Sequence, residues 1–354
     1  MQFVFWGKQV ENLLLLTKTQ KSLEFKTNNE LKKLKTMLNN LRTATNGYSE
    51  HIDEALREVK KIFGEAPPDM FVVIGSCGKG LIKELGLVDL NPKRLNCWNK
   101  IHNQNIVEPI NPQSLKNYLP QPIKEGHYGT LHLFTVGEKK IMIQEGRAHV
   151  YENQNIGSLT LMVRMMALWG TEFFMTTSRS HSIPELLESN ADNLSEESGI
   201  AIITDHINEA KESPFTGIIL GGKDGIGKLK ANEINMADVY DENLLHKLLE
   251  KFSIFNLKQK VYVFIKDISY STPTELKRLN EPNGVVGVSL VPETVAAYQA
   301  GMRVVAFTEY AKHRSKKFAP NPNFTNVLLK TIEHMLDIKI EPQPKIEEEK
   351  TEIV

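Results

Sequence analysis

Cysteine is scarce: the 354 residues hold two, Cys77 and Cys97. Two thiols without paired spacing cannot build a disulfide framework, and they fit a reducing compartment. An excess of one charge is missing too. Lys plus Arg number 43 and Asp plus Glu 43, so no global basic field points to nucleic acid or an anionic membrane. No apolar run approaches the roughly 20 residues of a spanning helix. The stretch Leu13 to Leu16 is too short for the apolar region of a signal peptide, which makes a cytoplasmic location the expectation. The ten histidines are scattered without H-x-x-x-H spacing, and C-x-x-C is absent, so no metal is expected. A serine nucleophile lacks its G-x-S-x-G setting. What is present is a 41% hydrophobic share against 24% charged, enough for a sizeable core.

The ends differ from the middle. Residues 1–45 carry eight basic side chains against three acidic ones. Within them LKKLKTMLNNL puts Leu31, Leu34, Met37, Leu38 and Leu41 on one helical face. This extension reads as helical or disordered, packing on the domain's own surface or meeting a membrane or partner. Residues 339–354, acidic and Pro-bearing, read as a disordered tail. Between them, 46–338 form the expected single domain. A helix over 49–63 stops at Pro67-Pro68, and the buried strand MFVVIG follows. HLFTVG and KKIMIQEG form a hairpin about Gly137-Glu138. A helix over 159–168 and a strand over 171–177 come next. The apolar, β-branched runs GIAIITDHI, TGIIL, VYVFIKD, GVVGVSL and MRVVAFTEY are further strands, with helices expected over 242–252, 293–300 and 325–336. This alternation argues an α/β fold around a central mixed sheet.

Three short segments carry chemistry. GKDGIGKL at 222–229 matches G-x-x-x-x-G-K, but Leu229 stands where a phosphate loop needs Ser or Thr for magnesium; an exposed loop is the plainer reading. GSCGKG at 75–80 follows a strand, and its glycines allow close backbone approach to an anion, to which Ser76 adds a hydroxyl. In QEGRAHVYE (144–152), Arg147, His149 and Tyr151 alternate, so a strand would set all three on one face, suited to phosphate or simply turned to water.

In order along the chain, VVIGS, GHYG-T-L, QEGRAHVYE, TDHIN, ISYST and VGVSLVPETVAAYQAGMRVVAF resemble the motifs of the trimeric purine nucleoside phosphorylases, the class that includes methylthioadenosine phosphorylase. The resemblance runs from about Tyr48 to Met335. It implies a single α/β domain whose central mixed β-sheet is partly barrel-like and flanked by helices. It also implies phosphorolysis of a nucleoside to free base and ribose 1-phosphate. Inorganic phosphate is then the co-substrate and no cofactor is needed.

By that resemblance Ser76, Arg147, His149 and Ser289 match phosphate ligands, and His149 is a catalytic position. His127, Tyr151 and Tyr270 line the ribose, with Glu152 beside them. The base side departs from the family. Ser271 replaces its Glu, Lys312 its Asn and Val288 its Met. The segment TSRSHS places Arg179 and His181 where a loop of small residues is expected. Arg179 is a further candidate phosphate ligand. Lys312, Glu309 or His181 is a candidate substitute for the lost base partner, Lys312 being the catalytic candidate. Two readings follow: a phosphorylase with altered or impaired base recognition, or a catalytically silent relative that binds phosphate or nucleotide or serves as a scaffold. The partners implied are nucleoside and phosphate, with a homotrimer as the assembly.

Overall fold

Strand β1, Met70–Ile74, is buried at every position. It reads as a continuous apolar run, not an alternating one, because a parallel strand covered on both faces has no wet side. Each such side chain contributes roughly 1.5–3 kcal/mol of burial. In this computed structural model the described residues are 52–53, 55–86, 129–152, 156–184, 198–214, 235–267, 272–279, 281–311 and 320–340. Helix α1 (55–63) turns Ala55, Val59 and Phe63 inward at four-residue spacing. After β1 come the short α2 (Lys79–Glu84), the hairpin β2 (Thr130–Val136) and β3 (Lys139–Glu145), and α3 (Leu161–Trp169). Then follow β4 (Phe173–Ser182), β5 (Gly199–Asn208), α4 (Glu242–Lys251), β6 (Lys258–Phe264) and α5 (Pro273–Leu279). The order ends with β7 (Gly284–Gly287), α6 (Val291–Gln299), β8 (Arg303–Ala311) and α7 (Phe324–Leu336).

The pairing closes five strands into a ring. β4 pairs with β7, β7 with β6, β6 with β5, β5 with β8, and β8 returns to β4. Strands β1, β3 and β2 continue the sheet from the first half of β4, on the edge that β7 takes farther along. The result is one α/β domain with a mixed sheet forming a partial barrel flanked by helices, as expected. The apolar face of α7 (Phe324, Val327, Leu328, Ile332 and Leu336) joins the core.

Strand β4 positions the site. Its residues Phe173–Thr176 lie opposite Met70–Val73 of β1, whereas His181 and Ser182 lie opposite Val286 and Val285 of β7. On this edge one partner leaves before the next arrives. The four residues between, Thr177–Ser180, keep only β8 as a strand neighbour, with Arg179 in register with Glu309. Here two expectations are corrected. The strand expected over 171–177 runs on to Ser182, and TSRSHS, expected as a loop, is its second half. Pairing with β8 through His181 supplies the backbone hydrogen bonds that hold it extended. TGIIL, GKDGIGKL and most of the GHYG motif lie outside the described residues.

Candidate anion and nucleoside site

The opening along β4 is filled by the turn after β1. Gly75 N donates to Thr177 Oγ1 at 3.0 Å, and Cys77 Sγ donates to the Ser178 carbonyl at 3.1 Å. Packing at Gly78 leaves no room for a side chain there: a Cβ would lie 2.7 Å from that of Ile74. Ser76 sits half-buried at the crest of this turn. Cys77 is a free thiol that burial, then the nearby Glu309 charge, pushes up to about 12, so it is not a nucleophile.

Arg147 enters from the other side of β1, and the strand expected to carry it is corrected. β3 ends at Glu145, residues 146–149 are irregular, and Val150–Glu152 form a single 3-10 turn. Arg147, His149 and Tyr151 are therefore not an alternating strand face. They part company: Arg147 turns into the protein, while His149 and Tyr151 stack at 4.9 Å between ring centroids. The Arg147 guanidinium is 4% exposed. It donates through Nη1 to Thr176 Oγ1 at 3.0 Å and to Glu293 Oε2, and through Nη2 to the Thr177 carbonyl. Burial pushes the Glu293 carboxyl up, and the touching guanidinium and Thr176 hydroxyl pull it back. His149 Nδ1 lies 2.8 Å from Glu152 Oε1, which also accepts from His149 N at 3.0 Å. Tyr151, 37% exposed, is pushed up to about 12 by burial and then by Glu152 and Asp267, so it stays a neutral phenol.

Ser289 and Val288 arrive half-buried on the link from β7 to α6. Ser289 N donates to Tyr262 Oη at 3.4 Å. The next residue, Leu290, has φ 72° and ψ −55°, and Val291 N donates back to the Ser289 carbonyl at 2.8 Å. This is a γ-turn of the strained hand, costing about 1–3 kcal/mol. The fully buried Leu290 side chain offsets that cost. The strain fixes where the chain turns, and hence where Ser289 stands at the start of α6, whose N-terminal dipole end favours an anion.

Glu309 is 1% exposed. Its Oε1 accepts from Ser198 Oγ at 2.7 Å and from Asn321 N, while Oε2 is buried without a partner. Burial pushes this carboxyl up, against the pull of Asn321, Ser198 and Arg179. A carboxyl raised on folding destabilises increasingly as pH climbs from the ordinary carboxylate range through the raised value. Glu309→Gln is therefore expected to melt higher than the wild type at pH 8 and to lose that advantage near pH 4. A melting difference that ignores pH would refute the charge as its cause.

The structure thus brings Ser76, Arg147 and Arg179 around one turn, with His149 and Tyr151 beyond β3 and Ser289 and Val288 before α6. His127, Tyr270, Ser271 and Lys312 lie outside the described residues. Sequence reasoning missed Thr176, Thr177, Tyr262 and Glu293. Only Glu293 left a signal, as a lone acid in the apolar helical run VPETVAA.

No family model matches the chain. Purine nucleoside phosphorylase 1 of Bacillus subtilis (strain 168) is 31% identical over 192 residues, 53% of this chain and 66% of that protein. The chain thus spans just under two thirds of this relative. The solved structure of Schistosoma mansoni purine nucleoside phosphorylase in complex with inosine is 20% identical with a TM-score of 0.58, covering 82% of this chain and 97% of that one. A purine nucleoside phosphorylase in complex with ribose 1-phosphate is 21% identical at TM-score 0.58, with the same coverages of 82% and 97%. These two structures establish the fold. The sequence relative and the structural neighbours carry the same name, purine nucleoside phosphorylase. Sequence and fold together support a divergent relative of the purine nucleoside phosphorylases.

Proposed function

We propose that this protein is a phosphorylase of nucleosides, taking inorganic phosphate as co-substrate and no cofactor, with base recognition altered from that of its relatives. The observation that supports this reading is the setting of Arg147, whose guanidinium is fixed by Thr176 and Thr177 beside the Gly75–Gly78 turn that bears Ser76. Two hydroxyls, a guanidinium and a helix start suit a tetrahedral oxyanion. His149 and the stacked Tyr151 beside them suit a sugar bearing hydroxyls.

The reaction follows from those roles. A phosphate oxygen attacks the anomeric carbon as the C–N bond breaks, and the bonding pair leaves with the base. Positioning the phosphate against the sugar supplies the proximity. Stabilising the departing base anion requires a donor on the far side, and Lys312 is our candidate for it. Ser271 and Val288 in place of larger family residues are the reason we expect weak turnover of inosine and guanosine. Losing a buried amide or charged partner removes roughly 2–4 kcal/mol of transition-state stabilisation. A homotrimer in the cytoplasm belongs to the same reading.

The test is phosphate-dependent base release from inosine, guanosine, adenosine, methylthioadenosine and uridine, with Arg147→Ala as control. Release that needs phosphate and fails in the variant supports the phosphorylase and names its base. A folded chain that binds phosphate in calorimetry but releases nothing supports the second reading, a silent binding protein. That reading draws on the exchanged base-side residues Ser271 and Lys312.

A further inference from the structure

The inside of the five-stranded ring carries hydroxyls. The strand registers put Ser178 and Ser180 of β4, Val285 and Gly287 of β7, Tyr262 of β6 and Thr308 of β8 on one face of the sheet. That face lines the interior, because Tyr262 reaches Ser178 although β7 separates β6 from β4 in the ring. Ser178, Ser180 and Thr308 are all buried. Ser180 Oγ lies 2.7 Å from Thr308 Oγ1, and Ser178 Oγ donates to the same Thr308 oxygen at 3.1 Å. Thr308 Oγ1 in turn donates to the Ser178 carbonyl at 3.1 Å.

Tyr262 carries this network to the anion site. It is fully buried, and its hydroxyl accepts from Ser289 N at 3.4 Å. Burial pushes the phenol up, while the Ser178 and Ser289 hydroxyls bonded to it and the Arg147 charge pull it back. Because Ser178 Oγ gives its own proton to Thr308, its lone pairs are left to accept from the tyrosine. The Ser178 carbonyl meanwhile receives the thiol of Cys77, the neighbour of Ser76, at 3.1 Å. Ser178 therefore holds the Ser76 turn through its backbone and Tyr262 through its side chain, and Tyr262 holds Ser289. Cys77, Ser178, Tyr262 and Ser289 make one hydrogen-bonded chain from the first serine-bearing turn to the second.

Resting on the phosphorylase reading, we infer that Tyr262 is a positioning residue of the anion site, spanning the ring from Ser178 to Ser289 and setting the Ser76 and Ser289 turns at one fixed separation. A serine hydroxyl on a turn has three staggered positions open to it. Two such hydroxyls grip one tetrahedral oxyanion only when both are held at the spacing of its oxygens. The bridge supplies that restraint before the anion arrives, so binding does not have to order the turns. It also gives a reason for hydroxyls inside the ring, where apolar side chains would pack without the cost of desolvating polar groups. Tyr262 acts through Ser178 and Ser289 and is not itself a ligand.

Calorimetric titration of the full chain with inorganic phosphate tests this, with thermal melting of each variant alongside. Tyr262→Phe keeps the ring and deletes the bridging hydroxyl. It is expected to weaken phosphate binding about three- to tenfold, the range of one lost hydrogen bond. Ser178→Ala breaks the bridge from its other end and is expected to match it, with the double variant losing no more than either alone. Tyr240→Phe is the control for a merely structural loss. That phenol is also buried, but its hydroxyl pairs with His206 Nδ1 at 3.1 Å. Its removal is expected to lower the melting temperature and leave phosphate affinity unchanged. Tyr262→Phe binding phosphate as tightly as the wild type, or a double variant whose losses add, would overturn the bridge and leave the phosphorylase reading standing. A wild-type chain that binds no phosphate would overturn both.

Discussion

Replacing Arg147 by alanine will cost this protein more than any other single change at the site, in stability and in phosphate binding together. The guanidinium is the partner of a carboxylate that is itself buried, and it also bonds Thr176 and the Thr177 carbonyl. Removing it strands Glu293 in the interior, which costs about 3–5 kcal/mol. It also leaves a bare negative charge facing the anion site. Phosphate affinity is expected to fall more than a hundredfold. The control is the double replacement Arg147→Met with Glu293→Gln. Taking away both charges removes the stranded ion, so urea unfolding should return most of the lost stability. Phosphate binding should return only in part, because the guanidinium hydrogen bonds are gone. A double variant no more stable than Arg147→Ala would show that the buried ion pair is not what holds this corner together.

The ion pair also marks where sequence reading stopped. The strands were legible because their cores are continuous buried runs, MFVVI in β1 and GVVG in β7, that only a covered sheet can use. Helices α4 and α7 were legible from their periodic apolar faces. The candidate phosphate ligands Ser76, Arg147, His149 and Ser289 came from the family resemblance, as residue types at matching motif positions. Their surroundings were not legible. Glu293 lies far from Arg147 in sequence, and nothing local says that a lone acid in an apolar helix will meet a guanidinium. Tyr262 looks like one more strand aromatic until β7 passes beside it. The extension of β4 through TSRSHS was missed for a related reason: Ser, Arg and His are poor strand signals alone, and β8 overrides them with a full ladder. The irregular path from Gly146 to His149 was missed because alternation of polar residues counts as strand evidence only where a neighbour exists to pair with.

Gly287→Ala carries the second large effect, and it couples packing to the site. A Cβ at this end of β7 would lie 2.0 Å from Tyr262 Oη and 2.7 Å from its ring Cζ. Tyr262 cannot retreat: it is fully buried, its hydroxyl accepts from Ser289 N, and β6 holds its backbone opposite Val285. The clash must be relieved by moving β7 or the tyrosine, at a cost of about 1–3 kcal/mol or more. Either movement displaces Ser289, two residues along. Gly287→Ala is therefore expected to unfold at lower urea and to bind phosphate several-fold more weakly, although the residue touches no anion. Tyr262→Phe removes the nearest atom but leaves the ring, so the two changes together should lose less than their sum. Strict additivity would mean that β7 absorbs the methyl on its own. The weaker phosphate binding would then have to come from the strand, not from the tyrosine that braces Ser289.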